Sequence, residues 1–158
     1  MQRPTKSHAS IPAIGEGKRG VEGHIGYLLR QAHSAHRISM EKALAETGMT
    51  LPQFSVLTML AAYPGASGAT LARLSLLTPQ TMSVIIANLE KAGFVSRHAH
   101  PTHGRIQEIE ITVEGKKLLA KCKTAVASAE AALLENLTPA EEKVVRRWLV
   151  DIAMRSGS

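Results

Sequence analysis

Between Gln80 and Asn88 the chain sets two carboxamides, the hydroxyls of Thr81 and Ser83, and the branched side chain of Val84. Carboxamides and hydroxyls donate and accept hydrogen bonds, and neither titrates near neutral pH. That is chemistry for reading a pattern of donors, acceptors and methyl groups, not for breaking bonds. Groups that could break bonds are dispersed. Serines and histidines show no nucleophile elbow or triad order, no glycine loop cradles phosphate, and the carboxylates fall in helix caps and solvated faces. No catalytic residue is expected. The single cysteine, Cys122, excludes an internal disulfide framework and sits among Leu118, Leu119 and Val126, as a buried thiol would. His33 and His36 stand one helical turn apart, but no carboxylate or thiol at matching spacing completes a metal site. Neither metal nor cofactor is expected.

The polar set needs a rigid carrier, and the flanking residues supply one. Thr78 suits a helix N-cap, Pro79 the first helical position, and Gly93 the left-handed turn that stops the helix. Met82, Ile85, Ile86 and Leu89 recur at i, i+3, i+4 and i+7, so one stripe is buried and the Gln80–Asn88 side faces out. The rod is roughly 20 Å long at about 1.5 Å per residue, a good fit to a DNA major groove. Ahead of it, Ser67 caps a short helix with Leu71, Ala72 and Leu74 inward. After it, residues 94–98 and 105–111 read as strands around a His100-Pro101-Thr102-His103-Gly104 tip. Two short helices followed by a two-stranded ribbon form the pattern of a winged helix-turn-helix. On this reading Thr78 and nearby backbone amides hold phosphate, Gln80 and Ser83 meet base edges, Val84 touches a thymine methyl, and Thr81 and Asn88 complete the DNA-binding set.

The rest of the chain fits a mainly α protein with one small β-hairpin. With 158 residues, 44% of them hydrophobic, a single integrated domain can bury a real core. Aromatics at 3% leave few stacking platforms for single-stranded nucleic acid, whereas a formal charge of +6 favours a polyanionic partner. Residues 1–20 form a basic arm with Arg3, Lys6, Lys18 and Arg19; it is either a free tail or a segment that touches phosphate or a partner subunit. Residues 21–47 read as a long helix stopped by Gly48, and Thr50 with Gln53 opens another through Ala62. Thr112 caps a helix over residues 113–136. Thr138, Pro139 and Glu141 start a last one with Val144, Val145, Trp148, Leu149 and Ile152 apolar. No apolar run is long enough to span a membrane and no signal-peptide core opens the chain, so a cytoplasmic protein is expected.

Three segments in order resemble the MarR family of bacterial transcriptional regulators. They are Thr50-Leu51-Pro52-Gln53-Phe54-Ser55-Val56-Leu57, the helix-turn-helix, and the wing ending Ile111-Thr112-Val113-Glu114-Gly115. The resemblance covers about residues 21–153. It implies an obligate homodimer interlocked by the first helix (21–48) and the C-terminal helices (113–158), flanking a DNA-binding lobe over 49–112. It implies a sequence-specific double-stranded DNA regulator, a repressor released by a small aromatic or phenolic ligand. It also implies a pocket, for which Tyr27, Arg30, His33, Arg37 and Phe54 are the expected lining. Alignment through the wing places Arg105 where family members carry the minor-groove arginine.

Two departures from the family pattern matter. His100 and His103 occupy usual acidic positions of the wing, so with His98 the tip gains positive charge as pH falls, and DNA affinity is expected to rise below about pH 6.5. Val84 and Asn88 stand where relatives often have arginine. The alternative is therefore a winged helix that docks on protein without specific DNA binding.

Overall fold

The computed structural model describes residues 11–155; Arg3 and Lys6 of the basic arm, with the rest of residues 1–10, and residues 156–158 lie outside the described residues. The chain divides into two compact units, up to Ile38 and from Ser39 onward.

In the first unit, a single 3-10 turn at Gly17–Arg19 precedes helix α1 (Ile25–Leu44), which continues into the second unit. The helix starts at Ile25, not at residue 21, because glycines take the chain through successive tight turns first. Gly20 N donates to Gly17 O at 3.0 Å and Gly23 N donates to Gly20 O at 2.8 Å. A Cβ at Gly20 would collide with the Gly15 carbonyl, and one at Gly23 with the Lys18 carbonyl. Arg19 Nη1 then donates to Pro12 O at 2.7 Å, and Gln31 Nε2 of α1 donates to Arg19 O at 3.1 Å, which ties residues 12–19 to the helix.

The second unit carries the core. From α1, Met40 and Leu44 are buried; a 3-10 turn, Ala45–Thr47, and left-handed Gly48 lead to α2 (Leu51–Ala62). The Thr50–Gln53 capping box is complete: Gln53 N donates to Thr50 Oγ1 at 3.4 Å and Thr50 N to Gln53 Oε1 at 3.0 Å. Then come α3 (Gly68–Leu74), α4 (Pro79–Lys91), β1 (Val95–Ala99), β2 (Gln107–Ile111), α5 (Val113–Ala132) and α6 (Pro139–Arg155). Val56, Leu57 and Leu60 of α2, Leu71 of α3, Met82 and Leu89 of α4, and Leu119, Cys122 and Val126 of α5 pack into one cluster. Cys122 is fully buried.

Helix ends follow local chemistry. At α5, Thr112 Oγ1 accepts from Gly115 N at 3.1 Å, and Gly115 itself is required: a Cβ there would strike the Phe94 carbonyl and lie 2.7 Å from Ile111 Cγ2. This is the physical content of the Ile111–Gly115 motif. The helix ends at Ala132, short of residue 136, since Leu133 N and Leu134 N turn to the i−3 carbonyls of Glu130 and Ala131 at 3.2 and 3.0 Å. Before α6, Glu141 N donates to Thr138 Oγ1 at 3.3 Å, and Glu141 Oε2 accepts from Thr138 Oγ1 at 2.7 Å and Thr138 N at 2.8 Å. These bonds, the hydroxyl's first, hold the Glu141 carboxyl below its usual range. Their contribution is therefore present above the ordinary carboxylate range and lost as pH falls through the lowered value. Along α6 no residue is buried; Val144, Val145, Trp148, Leu149 and Val150 are exposed in the single chain.

One backbone feature had no sequence signal. Leu76, in the turn between α3 and α4, has φ of 55°, the only positive-φ residue other than glycine among those described, and its side chain is 92% exposed. The left-handed conformation costs an L-residue about 1–2 kcal/mol, against about 0.5–1 kcal/mol of chain entropy for glycine. Leu76→Gly is thus expected to raise stability by about 0.5–1 kcal/mol in urea unfolding. A loss of similar size would show that the leucine side chain makes contacts its exposure hides.

Candidate nucleic-acid interface

Helix α4 is fixed from three sides. Thr78 caps it: Oγ1 accepts from Thr81 N at 3.2 Å and donates to Thr81 Oγ1 at 2.9 Å. Met82, Ile85, Ile86 and Leu89 are buried along one stripe. At the far end Gly93, with φ of 79°, turns the chain into β1, and Arg97 Nε of the wing reaches Glu90 Oε2 at 3.0 Å. That pair, half exposed, ties β1 back to α4; nothing in the spacing of the two residues announces it.

Gln80, Thr81, Ser83, Val84, Ala87, Asn88 and Lys91 all lie exposed on the other side. The side chains of Gln80, Asn88 and Lys91 make no hydrogen bond to a described residue. Ser83 Oγ donates to Pro79 O at 3.0 Å, so the oxygen's remaining capacity is as an acceptor. The first turn is more restricted than its sequence suggests. Pro79 has no N–H and Thr81 N is taken by Thr78, which leaves Gln80 N–H and the Thr81 hydroxyl hydrogen as the donors an anion would meet. Thr78 itself is committed to the cap.

The wing pairs Val95 with Ile111, Arg97 with Ile109 and Ala99 with Gln107. Its strands run one residue later than 94–98, and the second begins at Gln107, not 105, so Arg105 sits in the tip turn rather than on a strand. Arg105 is exposed and makes no hydrogen bond or ion pair with a described residue. Ile109 N donates to Ala66 O at 3.2 Å, and Thr112 Oγ1 to Gly93 O at 2.6 Å, so the middle of β2 is tied to the α2–α3 connection and its end to the turn after α4.

The tip histidines are not alone. His98 Nε2 lies 3.8 Å from Glu110 Oε2 and His100 Nε2 lies 3.5 Å from Glu108 Oε1, contacts that run diagonally across the strand register, in which His98 itself pairs with Glu108. His100 Nδ1 accepts from Thr102 N and His103 N, each at 3.2 Å, which needs that nitrogen unprotonated. The His100 ring thus serves the tip turn as a hydrogen-bond acceptor, beside the backbone bonds from His100 N to Ile106 O and from Ile106 N to His103 O. Among the described residues no three histidine, cysteine or acidic side chains stand close enough to hold a metal ion, and no helix is long and apolar enough to cross a membrane.

Of the five residues expected to line a ligand pocket, four lie on α1 and Phe54 lies on α2. Arg30 and His33, with Gly26 and Leu29, line an open depression of about 510 Å³ on α1. Arg37 follows one turn beyond His33 at helical spacing. Tyr27 lines a second cavity, which Arg30 shares, and Phe54 is half-buried on α2 in the second unit.

A capped helix with one stripe buried and one polar face free, beside a two-stranded wing, defines a winged helix-turn-helix protein. The MarR family profile matches residues 47–106. The repressor Rv2887 of Mycobacterium tuberculosis is 37% identical over 125 residues, 79% of this chain and 90% of that protein. The crystal structure of Rv2887 with salicylic acid covers 84% of this chain and 98% of that one at TM-score 0.66 and 35% identity. The repressor CouR bound to a 23-mer DNA duplex covers 82% and 92% at TM-score 0.75 and 27% identity. The chain belongs to the MarR family of transcriptional regulators.

The hydrogen bonds divide the α4 region into structural and free groups, which stability can check. Thr78→Ala is expected to cost about 1 kcal/mol through the lost cap. Gln80→Ala and Asn88→Ala are expected to stay within about 0.5 kcal/mol of the parent in urea unfolding, as exposed unbonded side chains do. A large loss at Gln80 or Asn88 would mean that these side chains already have partners within the protein.

Proposed function

We propose that this protein is a transcriptional repressor that binds double-stranded DNA as a homodimer and releases it when a small aromatic or phenolic acid binds. The observation that carries the reading is the exposed, hydrogen-bond-free row of Gln80, Val84 and Asn88 on a helix whose opposite stripe is buried. The CouR–DNA and Rv2887–salicylic acid structures support the two halves of it.

In this reading the groups divide into positioning and reading. Gln80 N–H and the Thr81 hydroxyl meet a phosphate at the start of α4. Gln80, Ser83 and Asn88 meet base edges, with Val84 against a thymine methyl. Arg105, unpaired at the wing tip, enters the flanking minor groove. The exposed apolar residues of α6, Val144, Val145, Trp148 and Leu149, are covered by the second copy, since a helix with no buried residue has no reason to hold its place alone.

Arg30 and His33, with Arg37 beyond them, form the effector face. An effector weakens DNA binding only by preferring the dimer whose two α4 helices miss the spacing of about 34 Å between successive major grooves. A hundredfold loss of affinity requires about 2.8 kcal/mol of such preference.

Fluorescence polarisation on DNA from upstream of the protein's own gene, across a salt series, tests this. The log–log slope should be steep, and Arg105→Ala should flatten it by roughly 1.8, about 0.9 for one phosphate in each subunit. Gln80→Ala should cost about 1–3 kcal/mol on that duplex and little on an unrelated one. A slope near zero would favour the winged helix as a protein-docking module.

A further inference from the structure

We propose that Glu108 is a positioning residue of the wing: through the His100 ring it sets the shape of the turn that carries Arg105. The proposal rests on the reading of Arg105 as a DNA contact and adds the residue that holds it in place.

Backbone bonds close the neck of the tip, from His100 N to Ile106 O at 2.9 Å and from Ile106 N to His103 O at 2.8 Å. Beyond that neck the ordering group is a side chain. His100 Nδ1 accepts from Thr102 N and His103 N, each at 3.2 Å, with the Thr102 hydroxyl oxygen 3.1 Å away. An aspartate or asparagine oxygen shapes such turns in the same way, by accepting from backbone N–H groups a few residues on. An imidazole does so under one added condition. The ring has to face inward with Nδ1 bare, so its hydrogen sits on Nε2.

Glu108 meets that condition from the other side of the ring. Its Oε1 lies 3.5 Å from His100 Nε2, and the two side chains are 30% and 29% exposed. A carboxylate beside one ring nitrogen fixes both the tautomer and the direction the ring faces. Glu108 is itself backed by the α2–α3 connection. Ser67 bridges to it, Ile109 N donates to Ala66 O at 3.2 Å, and a Cβ on Gly65 would stand 3.8 Å from the Glu108 carboxyl. Contacts thus run from the helices through Glu108 and His100 to Thr102 and His103, and Arg105 follows in the same turn. The neighbouring pair makes no such link. His98 Nε2 lies 3.8 Å from Glu110 Oε2, both more than half exposed, and 3.0 Å from Ser96 Oγ, toward the wing base.

The sign of the effect on DNA separates positioning from charge. Removing a negative charge beside a polyanion by itself favours binding. Loss of position weakens it. Glu108→Ala removes both charge and acceptor, whereas Glu108→Gln removes the charge and keeps an oxygen beside Nε2.

The test has two arms on the full-length protein. Without DNA, the nitrogen-15 signals of the His100 ring should report a bare Nδ1. Glu108→Ala should speed water exchange of the Thr102 and His103 amides by roughly threefold to tenfold, the size of one hydrogen bond. Glu108→Gln and Glu110→Ala should not. In a His100→Asn background, where the side chain shapes the turn without help, Glu108→Ala should change nothing. With DNA, Glu108→Ala should weaken affinity by roughly fivefold, and that loss should vanish when Arg105→Ala is already present. Glu108→Gln and Glu110→Ala should bind as the parent does or tighter. A protonated Nδ1 in the parent, unchanged amide exchange in Glu108→Ala, or DNA binding by Glu108→Ala as tight as by Glu108→Gln would each overturn the proposal. A parent that binds no DNA would instead sink the regulator reading, and the DNA-free arm would then decide alone whether Glu108 holds the tip.

Discussion

Burial of Met82, Ile85, Ile86 and Leu89 along one stripe of α4 is the constraint the lobe depends on. Each such side chain contributes about 1.5–3 kcal/mol on leaving water, so the four together contribute roughly 6–12 kcal/mol before entropy is counted. That is comparable to the whole net stability of an ordinary domain, about 5–15 kcal/mol. Rotating α4 to hide Gln80 and Asn88 would expose this stripe, and no polar contact here is large enough to offset it. The helix is therefore locked in rotation, and its polar face is presented whether or not anything is bound.

The smaller contacts make sense as refinements of that lock. Thr78 fixes where the helix begins, Gly93 where it ends, and Arg97 with Glu90 ties its last turn to the wing. An exposed ion pair is worth at most about 1 kcal/mol, so this last contact sets direction more than stability. The wing is held at its base by Thr112 and Gly115, while its tip is closed by His100 Nδ1 and by backbone bonds from His100 N to Ile106 O and from Ile106 N to His103 O. Arg105 sits in that tip.

Much of this was legible in the residues because it is locally encoded. Thr78-Pro79, Thr50 with Gln53, and Thr138 with Glu141 are caps whose partners lie within three positions, and all three hold at the predicted helix starts. The i, i+3, i+4, i+7 stripe of α4 depends only on helical period. What was missed depends on tertiary or unusual backbone geometry. The start of α1 at Ile25 follows from close carbonyl approaches at Gly20 and Gly23, and glycine spacing alone does not report them. Leu76 adopts a conformation its residue type disfavours. Glu108 and Glu110 meet His100 and His98 only once strand register is known.

The central claim is that two copies of the free α4 face read successive major grooves on one side of a duplex. Protection of guanine N7 from methylation on the bound DNA measures this directly, since that atom lies in the major groove. The account predicts two protected patches one helical turn, about 10 base pairs, apart, both weakened by Gln80→Ala. Protection confined to one patch, or none where binding is otherwise saturated, would contradict it.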